Sequence, residues 1–262
     1  MFHFGIIPAA GKGTRLRPLP FSKELFPIGY QQYEDRIAPA PVSQHLILAM
    51  KAAGIRKLYL IIHPDKTDIL KYYTDGAAYG MEICYLLQNE QKGMVQALSQ
   101  VTPWLPAGED GLISFGMPDT LFRPHRLFAA LHDEMRTNSS IDVLLGIFPT
   151  NSWHKLGMTF YGDQEAGSME VLDIQDKPAE KPATDYAWGV AVWKKTFQLF
   201  LTEQAKRHTG SHELVLGNVF LSAKAQGMNV RCMKGDAYLD IGTIEDLQNV
   251  IREMNQIIKI KE

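Results

Sequence analysis

Apolar residues occur along this chain in short runs that are separated by Gly, Pro and polar turns. Short apolar runs bounded by turn residues are typical of buried strands. The main runs cover residues 2–7, 57–63, 81–87, 112–115, 141–149 and 230–233. Further runs, which predict an extension of the same sheet, cover 157–161, 169–174 and 186–193.

Apolar residues at helical spacing lie between several of these strands. Leu46, Ile47 and Met50 share one face of a helix predicted over 41–54, which Gly54 ends. Two more helices are predicted over 65–73 and 213–226. Strands that alternate with helices favour βαβ units, and the pattern therefore predicts an α/β fold with a mostly parallel sheet.

A final helix is predicted after Thr243, which can cap its first turn together with Asp246 at the third helical position. Ile244, Leu247 and Ile251 form the predicted apolar stripe of this helix. Residues 30–41, in contrast, show no clear period and predict an irregular insertion at the surface.

The composition limits the classes of protein to which this chain can belong. Its 262 residues, 45% of them hydrophobic, suffice for one large α/β domain or two small ones. A formal net charge of −2 gives no basic field for nucleic acid. No run approaches the ~20 apolar residues of a membrane span, and residues 1–7 are too short for a signal peptide. We therefore expect a cytoplasmic protein with no nucleic-acid or membrane partner, in which Cys84 and Cys232 are core residues.

The first predicted strand leads into a loop that is rich in glycine and basic residues. Gly11 and Gly13 allow backbone N–H groups to converge on an anion, and Arg15 and Lys23 add positive charge. The loop is not a P-loop, because Lys12 is followed by Gly, and it lacks the third glycine of a dinucleotide fingerprint. Its pattern predicts a phosphate site of another kind.

The extended motif is more specific than the glycines alone. It reads GKGTRL over 11–16 and SKELFP over 22–27, and the chain thereby resembles the sugar-1-phosphate nucleotidyltransferases. This family includes glucose-1-phosphate thymidylyltransferases and UTP–glucose-1-phosphate uridylyltransferases. Further matches are QNEQKGMVQA over 88–97, DKP over 176–178 and LDIGTIEDL over 239–247.

The resemblance implies a single nucleotidyltransferase domain over residues 1–262 with a three-layer αβα, Rossmann-like fold. Its nucleotide-binding half would cover 1–149, its sugar-binding half 150–240 and its C-terminal helix 243–258. It also implies small-molecule substrates and a homo-oligomer.

The resemblance further implies a role for each motif residue. The residues expected to bind the nucleotide are Ala9, Ala10, Gly11, Gly13, Thr14, Gln88 and Gly93. Those expected to bind the sugar are Gly157, Asp176, Lys177, Trp188 and Gly189. The catalytic cations would be Arg15, Lys23 and Lys177.

Chemistry supports some of these roles independently. The amide of Gln88 offers a donor and an acceptor to the edge of a pyrimidine. Asp119 follows a predicted strand, and its hard carboxylate oxygens suit Mg²⁺. The resemblance makes Asp240 a second ligand, so that Mg²⁺ is the expected cofactor.

Three motifs depart from the family pattern. Met117 and Pro118 stand between the Gly and the Asp that usually adjoin, Asp176 replaces Glu, and Tyr238 replaces Trp. The first two put the nucleotide contact and the sugar contact in question.

The expected reaction is nucleotidyl transfer from UTP or dTTP to glucose-1-phosphate or a related hexose phosphate, with release of pyrophosphate. A first alternative is a non-catalytic regulatory protein that has the same fold and binds sugar nucleotides. A second alternative is a cytidylyltransferase for a non-sugar alcohol phosphate, although such enzymes usually lack the Lys-Pro and LDIGT blocks.

Overall fold

A computed structural model describes residues 2–16, 18–32, 36–108, 110–165, 167–210 and 212–259. Arg17 of the basic loop and residues 33–35 of the predicted insertion lie outside these ranges.

The described residues form thirteen strands and seven α-helices. The strands are β1 (Phe2–Pro8), β2 (Pro27–Gln32), β3 (Ile37–Pro41), β4 (Lys57–Ile62), β5 (Glu82–Leu87), β6 (Gly111–Gly116), β7 (Thr120–Arg123), β8 (Val143–Pro149), β9 (Gly157–Glu165), β10 (Ser168–Asp176), β11 (Tyr186–Lys194), β12 (Val230–Lys234) and β13 (Ala237–Asp240). The helices are α1 (Val42–Ala52), α2 (Thr67–Tyr73), α3 (Met94–Ser99), α4 (Leu127–Thr137), α5 (Lys195–Arg207), α6 (Leu216–Ala225) and α7 (Ile244–Lys259).

Nine of these strands form one central sheet in the order β5-β4-β1-β6-β11-β8-β12-β10-β9. The four strands β5, β4, β1 and β6 are parallel to one another, and β8 is parallel to β12. Strand β11 runs antiparallel to both β6 and β8, and β9 and β10 add an antiparallel hairpin. The predicted α/β fold with a mixed sheet is confirmed, and its continuous parallel part lies in the first half of the chain.

Helices cover both faces of the central sheet and bury its apolar residues. One core contains Val95 of α3, Phe197 of α5 and Phe220 of α6, while the other contains Met50 of α1 and Leu131 of α4. A sheet between two helical layers is the predicted αβα arrangement. Polar and apolar residues alternate less along these strands than along strands with one exposed face, because both faces of the sheet are buried.

Two short ladders lie outside the central sheet. Strands β2 and β3 pair with each other, so the predicted irregular insertion is instead largely a two-stranded hairpin. Strands β7 and β13 pair antiparallel, and this ladder joins the end of β6 to the start of α7.

The last helix begins as predicted, but the apolar residues that it buries are only partly those predicted. Thr243 Oγ1 accepts the Asp246 N–H at 3.2 Å and donates to its carboxylate at 2.6 Å, which confirms the predicted cap. Ile244 and Ile251, however, are exposed, and Val250 is buried. Leu247 packs against the small core as predicted, but Val250 takes the place of Ile251. The helix packs against β2 and β13, and a helical period alone does not define which face these strands cover.

The prediction for the two cysteines is half correct. Cys232 is buried, whereas Cys84 is exposed on β5. Strand β5 is the last strand at its edge of the sheet, so among the described residues no further strand shields it. None of the helices in the described ranges combines the length and the apolar character that a bilayer crossing requires.

Candidate functional site

Backbone hydrogen bonding and backbone conformation fix the shape of the loop after β1. The Ala9 N–H donates to the Ile61 carbonyl at 2.7 Å, which fixes the start of the loop against β4. Gly13 has a φ of 60°, in the left-handed region that glycine adopts without strain. Ala9 and Ala10 are buried, whereas Gly11, Thr14 and Arg15 are exposed. The exposed part of the loop thus presents backbone groups and one guanidinium toward solvent.

Lys23 lies on a short 3₁₀ turn and bonds the carboxylate of Asp119. Both side chains are mostly buried, with exposed fractions of 16% and 14%. Burial alone would lower the pKa of Lys23, but the charge and hydrogen bond of Asp119, helped by Glu24 and Asp240, raise it. Lys23 is therefore a firmly protonated cation that can hold a second anion in this position.

Asp240 joins this pair through the β7–β13 ladder. It is paired with Thr120, the residue after Asp119, and the Ile241 N–H donates to the Asp119 carbonyl at 3.1 Å. Burial and the Asp119 carboxylate raise the pKa of Asp240 to about 6, although Lys23 and Arg15 oppose them. Two carboxylates that repel each other in this way favour a cation between them.

Arg15 completes the cluster beside Gly242. A side chain added at Gly242 would come within 2.6 Å of Asp240 Oδ2 and 3.2 Å of Arg15 Nη2. The structure therefore brings together Arg15, Lys23, Asp119 and Asp240 from separate sequence motifs, with a glycine packed against two of them.

The chemistry of Asp119 and Asp240 fits a hard divalent cation such as Mg²⁺, which prefers carboxylate oxygens and usually completes its shell with phosphate and water. The described residues hold no group of three or more His, Cys, Asp or Glu side chains that could bind a metal by themselves. A cation here would thus depend on ligands from a bound phosphate.

A cavity of about 350 Å³, which we call the Gln88 cavity, opens beside this cluster. Gln88 is only 5% exposed, and its Nε2 has no hydrogen-bond partner among the described residues. A buried amide without a partner is costly unless a ligand satisfies it. The lining also includes Ala10, Gly11, Lys23, Gly93 and Asp119, so the cavity reaches from the amide to the acidic cluster. Met117 and Pro118 line it as well, which places the extra residues in the cavity wall.

Gly93 does not present the open backbone face that its predicted contact with the nucleotide would use. Its φ of 96° requires glycine, but its free face is covered by the side chain of Glu213. The Glu213 carboxylate accepts the Met94 N–H at 2.9 Å. Glu213 lies 119 residues from Met94 in the chain, and no local pattern in the sequence indicates this contact.

A buried ion pair beneath the loop could also not be predicted from the sequence. Lys66 Nζ donates to the Ala9 carbonyl and to Glu24 Oε1, both at 2.7 Å. Glu24 is 2% exposed, and burial raises the pKa of its carboxyl despite the lysine. This pair ties the turn that carries Lys23 to the first glycine loop.

A second cavity of about 620 Å³, which we call the Lys12 cavity, also borders the loop. Lys12, Lys23, Lys66 and His63 line it together with Gly13. Asp65 and Asp68 also line this cavity, so its three lysines leave a net positive charge that suits a polyanion.

The residues predicted for the sugar lie in the second half of the sheet. Asp176 pairs with Gly157 at the end of the β9–β10 hairpin, and Lys177 Nζ lies 3.6 Å from the Asp176 carboxylate. Lys177 has a φ of 46°, which is uncommon and strained for a residue with a Cβ. Such backbone strain is concentrated at functional sites in proteins. Asp176, Lys177 and Gly157 therefore form one cluster.

The predicted pair Trp188 and Gly189 has a different environment. Trp188 is 8% exposed, stands over Gly157 and packs on the rings of Phe115 and Phe220. Gly189 is covered by the ring of Tyr238. Trp188 therefore closes the wall behind Gly157, and neither residue presents an open surface of its own.

Comparisons with known proteins identify the family and the fold of this chain. A family model described as nucleotidyl transferase matches residues 4–257. A glucose-1-phosphate thymidylyltransferase of Mycolicibacterium smegmatis is 27% identical over 93% of this chain and 79% of its own length. A UTP–glucose-1-phosphate uridylyltransferase of Haloferax volcanii is 27% identical over 68% of this chain and 66% of its own. A UDP-glucose pyrophosphorylase solved with UDP-glucose has a TM-score of 0.78 at 18% identity, with 99% of both chains covered, and supports the fold.

Proposed function

The chain belongs to the nucleotidyl transferase family, and we propose that it transfers a nucleotidyl group from UTP or dTTP to glucose-1-phosphate or a related hexose phosphate. The products are the nucleoside diphosphate sugar and pyrophosphate. The observation that carries this proposal is the contact of Lys23 with Asp119, next to Asp240 and beside both cavities.

The reaction we propose is an in-line displacement at the α-phosphorus of the triphosphate. An oxygen of the sugar phosphate forms the new P–O bond while the bond to the β-phosphate oxygen breaks. No general base is required, because a phosphate monoester is already ionised near neutral pH. Catalysis in such transfers rests on positioning and on neutralising charge.

Each cation has a place in this scheme. Lys23 would hold the α-phosphate, and the fork of Arg15 would hold the departing pyrophosphate by two parallel hydrogen bonds. The Lys12 cavity gives the pyrophosphate room beside further cations. Lys177 would hold the phosphate of the sugar, with Asp176 beside it as an acceptor for sugar hydroxyls.

Asp119 and Asp240 are the residues that would hold Mg²⁺, since both offer hard oxygens and together repel each other strongly enough to favour a cation. When held by these carboxylates, the ion would supply positive charge that neutralises the phosphates. The Gln88 cavity would take the nucleoside, with the Gln88 amide on the edge of the pyrimidine.

We further propose one catalytic domain that acts in the cytoplasm, where nucleoside triphosphates are made and used, and that forms a homo-oligomer. The non-catalytic alternative is less favoured, because such a protein has no need of the four charged groups that converge near Gly242.

The test is a panel of sugar 1-phosphates against the common ribonucleoside triphosphates and dTTP, with and without Mg²⁺, read by pyrophosphate release. We expect release with glucose-1-phosphate and UTP or dTTP, dependent on the divalent ion. Tight binding of the nucleotide sugar without any pyrophosphate release would instead support the regulatory alternative.

A further inference from the structure

A third cavity, of about 710 Å³, lies between α7 and the turn that joins β8 to β9, and we call it the α7 cavity. Its lining includes Leu156 and other residues of that turn, several residues of α7, and Asp240 at the end of β13. The α7 cavity therefore lies between the segment next to the proposed sugar site and the segment next to the acidic cluster.

One ion pair in this lining joins the turn to α7. Lys155 Nζ donates to Oδ1 and Oδ2 of Asp246 at 2.9 and 3.2 Å, and the two side chains are 26% and 15% exposed. Burial alone would raise the pKa of Asp246, but the hydrogen bonds of Thr243 and Lys155 lower it, so the carboxyl is ionised at neutral pH. Within the described part of the chain, no other side-chain hydrogen bond or ion pair joins residues 149–156 to α7.

Each end of this pair is attached to a group of the proposed site. Lys155 directly precedes Leu156, whose carbonyl accepts the Lys177 N–H at 3.0 Å. At the other end, Asp246 lies in the first turn of α7, and only three residues separate that helix from Asp240. The pair is thus a side-chain link between the lysine that would hold the sugar phosphate and a carboxylate that would hold the ion.

We propose that the ion pair of Lys155 and Asp246 holds Lys177 and Asp240 at the separation that places the sugar phosphate in line with the α-phosphorus. The inference rests on the proposed function and adds two positioning residues to it, which act through their neighbours and do not touch a substrate. Transfer between two bound anions depends on their alignment, and a misplacement of about 1 Å can cost on the order of 10²-fold in rate.

The contacts of the triphosphate do not depend on this pair. None of the residues that line the Gln88 cavity belongs to the turn over 149–156 or to α7. The pair also leaves the charge of Lys177 in place. Loss of the pair should therefore slow the chemical step while both substrates still bind.

The first experiment uses Lys155→Met, which removes the ammonium and leaves the bonds between Thr243 and Asp246 that cap α7. Single-turnover rates are measured on the full chain with UTP or dTTP, glucose-1-phosphate and Mg²⁺, so that product release does not limit them. We expect the saturated rate to fall about 10- to 100-fold. The dissociation constant of the triphosphate, from calorimetry, and the half-saturating concentration of the sugar 1-phosphate should stay near their wild-type values. A saturated rate near that of the wild type in the folded variant would overturn the inference.

Two further variants separate positioning from a general loss of stability. Lys155→Arg keeps the charge and the reach, and should recover most of the rate. Lys194→Met is the matched control, because Lys194 is 30% exposed and pairs with Asp142, but it lies opposite Leu112 at the start of β6, whereas Asp119 follows the end of that strand. It should lower the thermal stability at most. Equal rate losses in Lys155→Met and Lys194→Met would overturn the positioning role.

The last experiment tests whether the two residues act as a pair. Asp246→Asn keeps the size of the side chain and removes its charge, and it replaces Lys155→Met as the test variant if the latter does not fold. We expect the double variant to be no slower than the slower single variant, because both substitutions break the same contact. Losses that multiply would overturn the pairing. If the wild type releases no pyrophosphate with any triphosphate and sugar phosphate, the proposed function itself fails, and the inference with it.

Discussion

The backbone N–H of Ile241 donates to the carbonyl oxygen of Asp119 at 3.1 Å. This bond continues the ladder in which Asp240 is paired with Thr120, so the two carboxylates leave the backbone at neighbouring positions of one small sheet. Strand pairing therefore holds two like charges together although they are far apart in sequence. The cost of their repulsion is part of what a cation or Lys23 offsets.

Removing either Asp240 or Arg15 should abolish most activity without unfolding the protein. We expect Asp240→Ala and Arg15→Ala to lower kcat by about 10²–10³, the usual effect of losing one preorganised charged contact. The measurement is pyrophosphate release, with thermal unfolding as a check on the fold. Arg207→Ala is the matched control, since Arg207 is exposed and pairs with exposed Glu203. Near-normal turnover in either site variant would contradict the assignment.

A methyl group at residue 242 should disturb the cluster as much as the loss of a charge. In Gly242→Ala the added carbon would stand 2.6 Å from Asp240 Oδ2, which must then move. We expect kcat/KM to fall on the order of 10²-fold, because small displacements of reacting groups are costly. Gly162→Ala is the control, where the added carbon meets only Leu172 at 3.9 Å. Similar losses in both variants would show that position 242 has no special role.

The parts of this protein that could be predicted from its sequence are those with a local pattern. The central strands are short apolar runs, and Arg15, Lys23 and Asp240 lie in short motifs, while Asp119 lies shortly after a predicted strand. The fold then brings these four residues together, because the strands that carry their loops are neighbours in one sheet or in the β7–β13 ladder.

The parts that could not be predicted depend on contacts between distant segments. Glu24 and Lys66 are 42 residues apart, and nothing in the surrounding letters indicates that both are buried. The predicted apolar stripe of α7 is wrong at Ile251 for a related reason, because Val250 and Ile251 are both apolar and only the packing against β2 and β13 decides which of them is buried. Trp188 lies in a stretch assigned to the sugar, yet its bulk packs into the core.

The turn that carries Lys23 is anchored by Asp68, and this anchor should matter for catalysis. Asp68 accepts the Ser22 N–H at 2.6 Å and the Ser22 hydroxyl at 2.8 Å. We expect Asp68→Ala to lower kcat/KM for the triphosphate about tenfold, because Lys23 then loses its fixed position. A double-mutant cycle with Ser22→Ala should give a coupling of about 0.5–3 kcal/mol in transition-state stabilisation. Strictly additive effects would mean that the two residues act independently.

Stability should fall in mild acid because of a buried histidine. His132 is 1% exposed and bonds Ser114 Oγ at 2.7 Å, and burial, followed by His3 and Arg136, lowers its pKa to about 4. The unfolded chain takes up this proton near pH 6.5 and the folded chain does not. Stability from this group is therefore full above pH 6.5 and is lost as the pH falls to about 4, by about 3 kcal/mol in total.

The variant His132→Gln tests this, because glutamine can still bond Ser114 but does not titrate. Free energies of unfolding from urea are compared between the two proteins from pH 7 down to about pH 4, the window set by the shift. We expect the difference between wild type and variant to change by that amount across the window. Curves that run parallel at all pH values would show that another group carries the acid sensitivity.

The chain has two Lys-Pro dipeptides, at 177–178 and 181–182, and a comparison of the two tests the proposed contact with the sugar phosphate. Both lysine side chains are exposed, but Lys177 has a left-handed backbone and stands beside partly buried Asp176, whereas Lys181 pairs with exposed Asp185. If Lys177 holds the sugar phosphate, Lys177→Ala should raise KM for the sugar 1-phosphate by about 10- to 100-fold, as expected for a charge-assisted contact, and leave KM for the triphosphate nearly unchanged. Lys181→Ala, which removes the same charge four residues away, should alter neither value. Equal effects of the two substitutions would mean that only the local positive charge matters, and a loss confined to Lys181→Ala would move the phosphate contact to the second dipeptide.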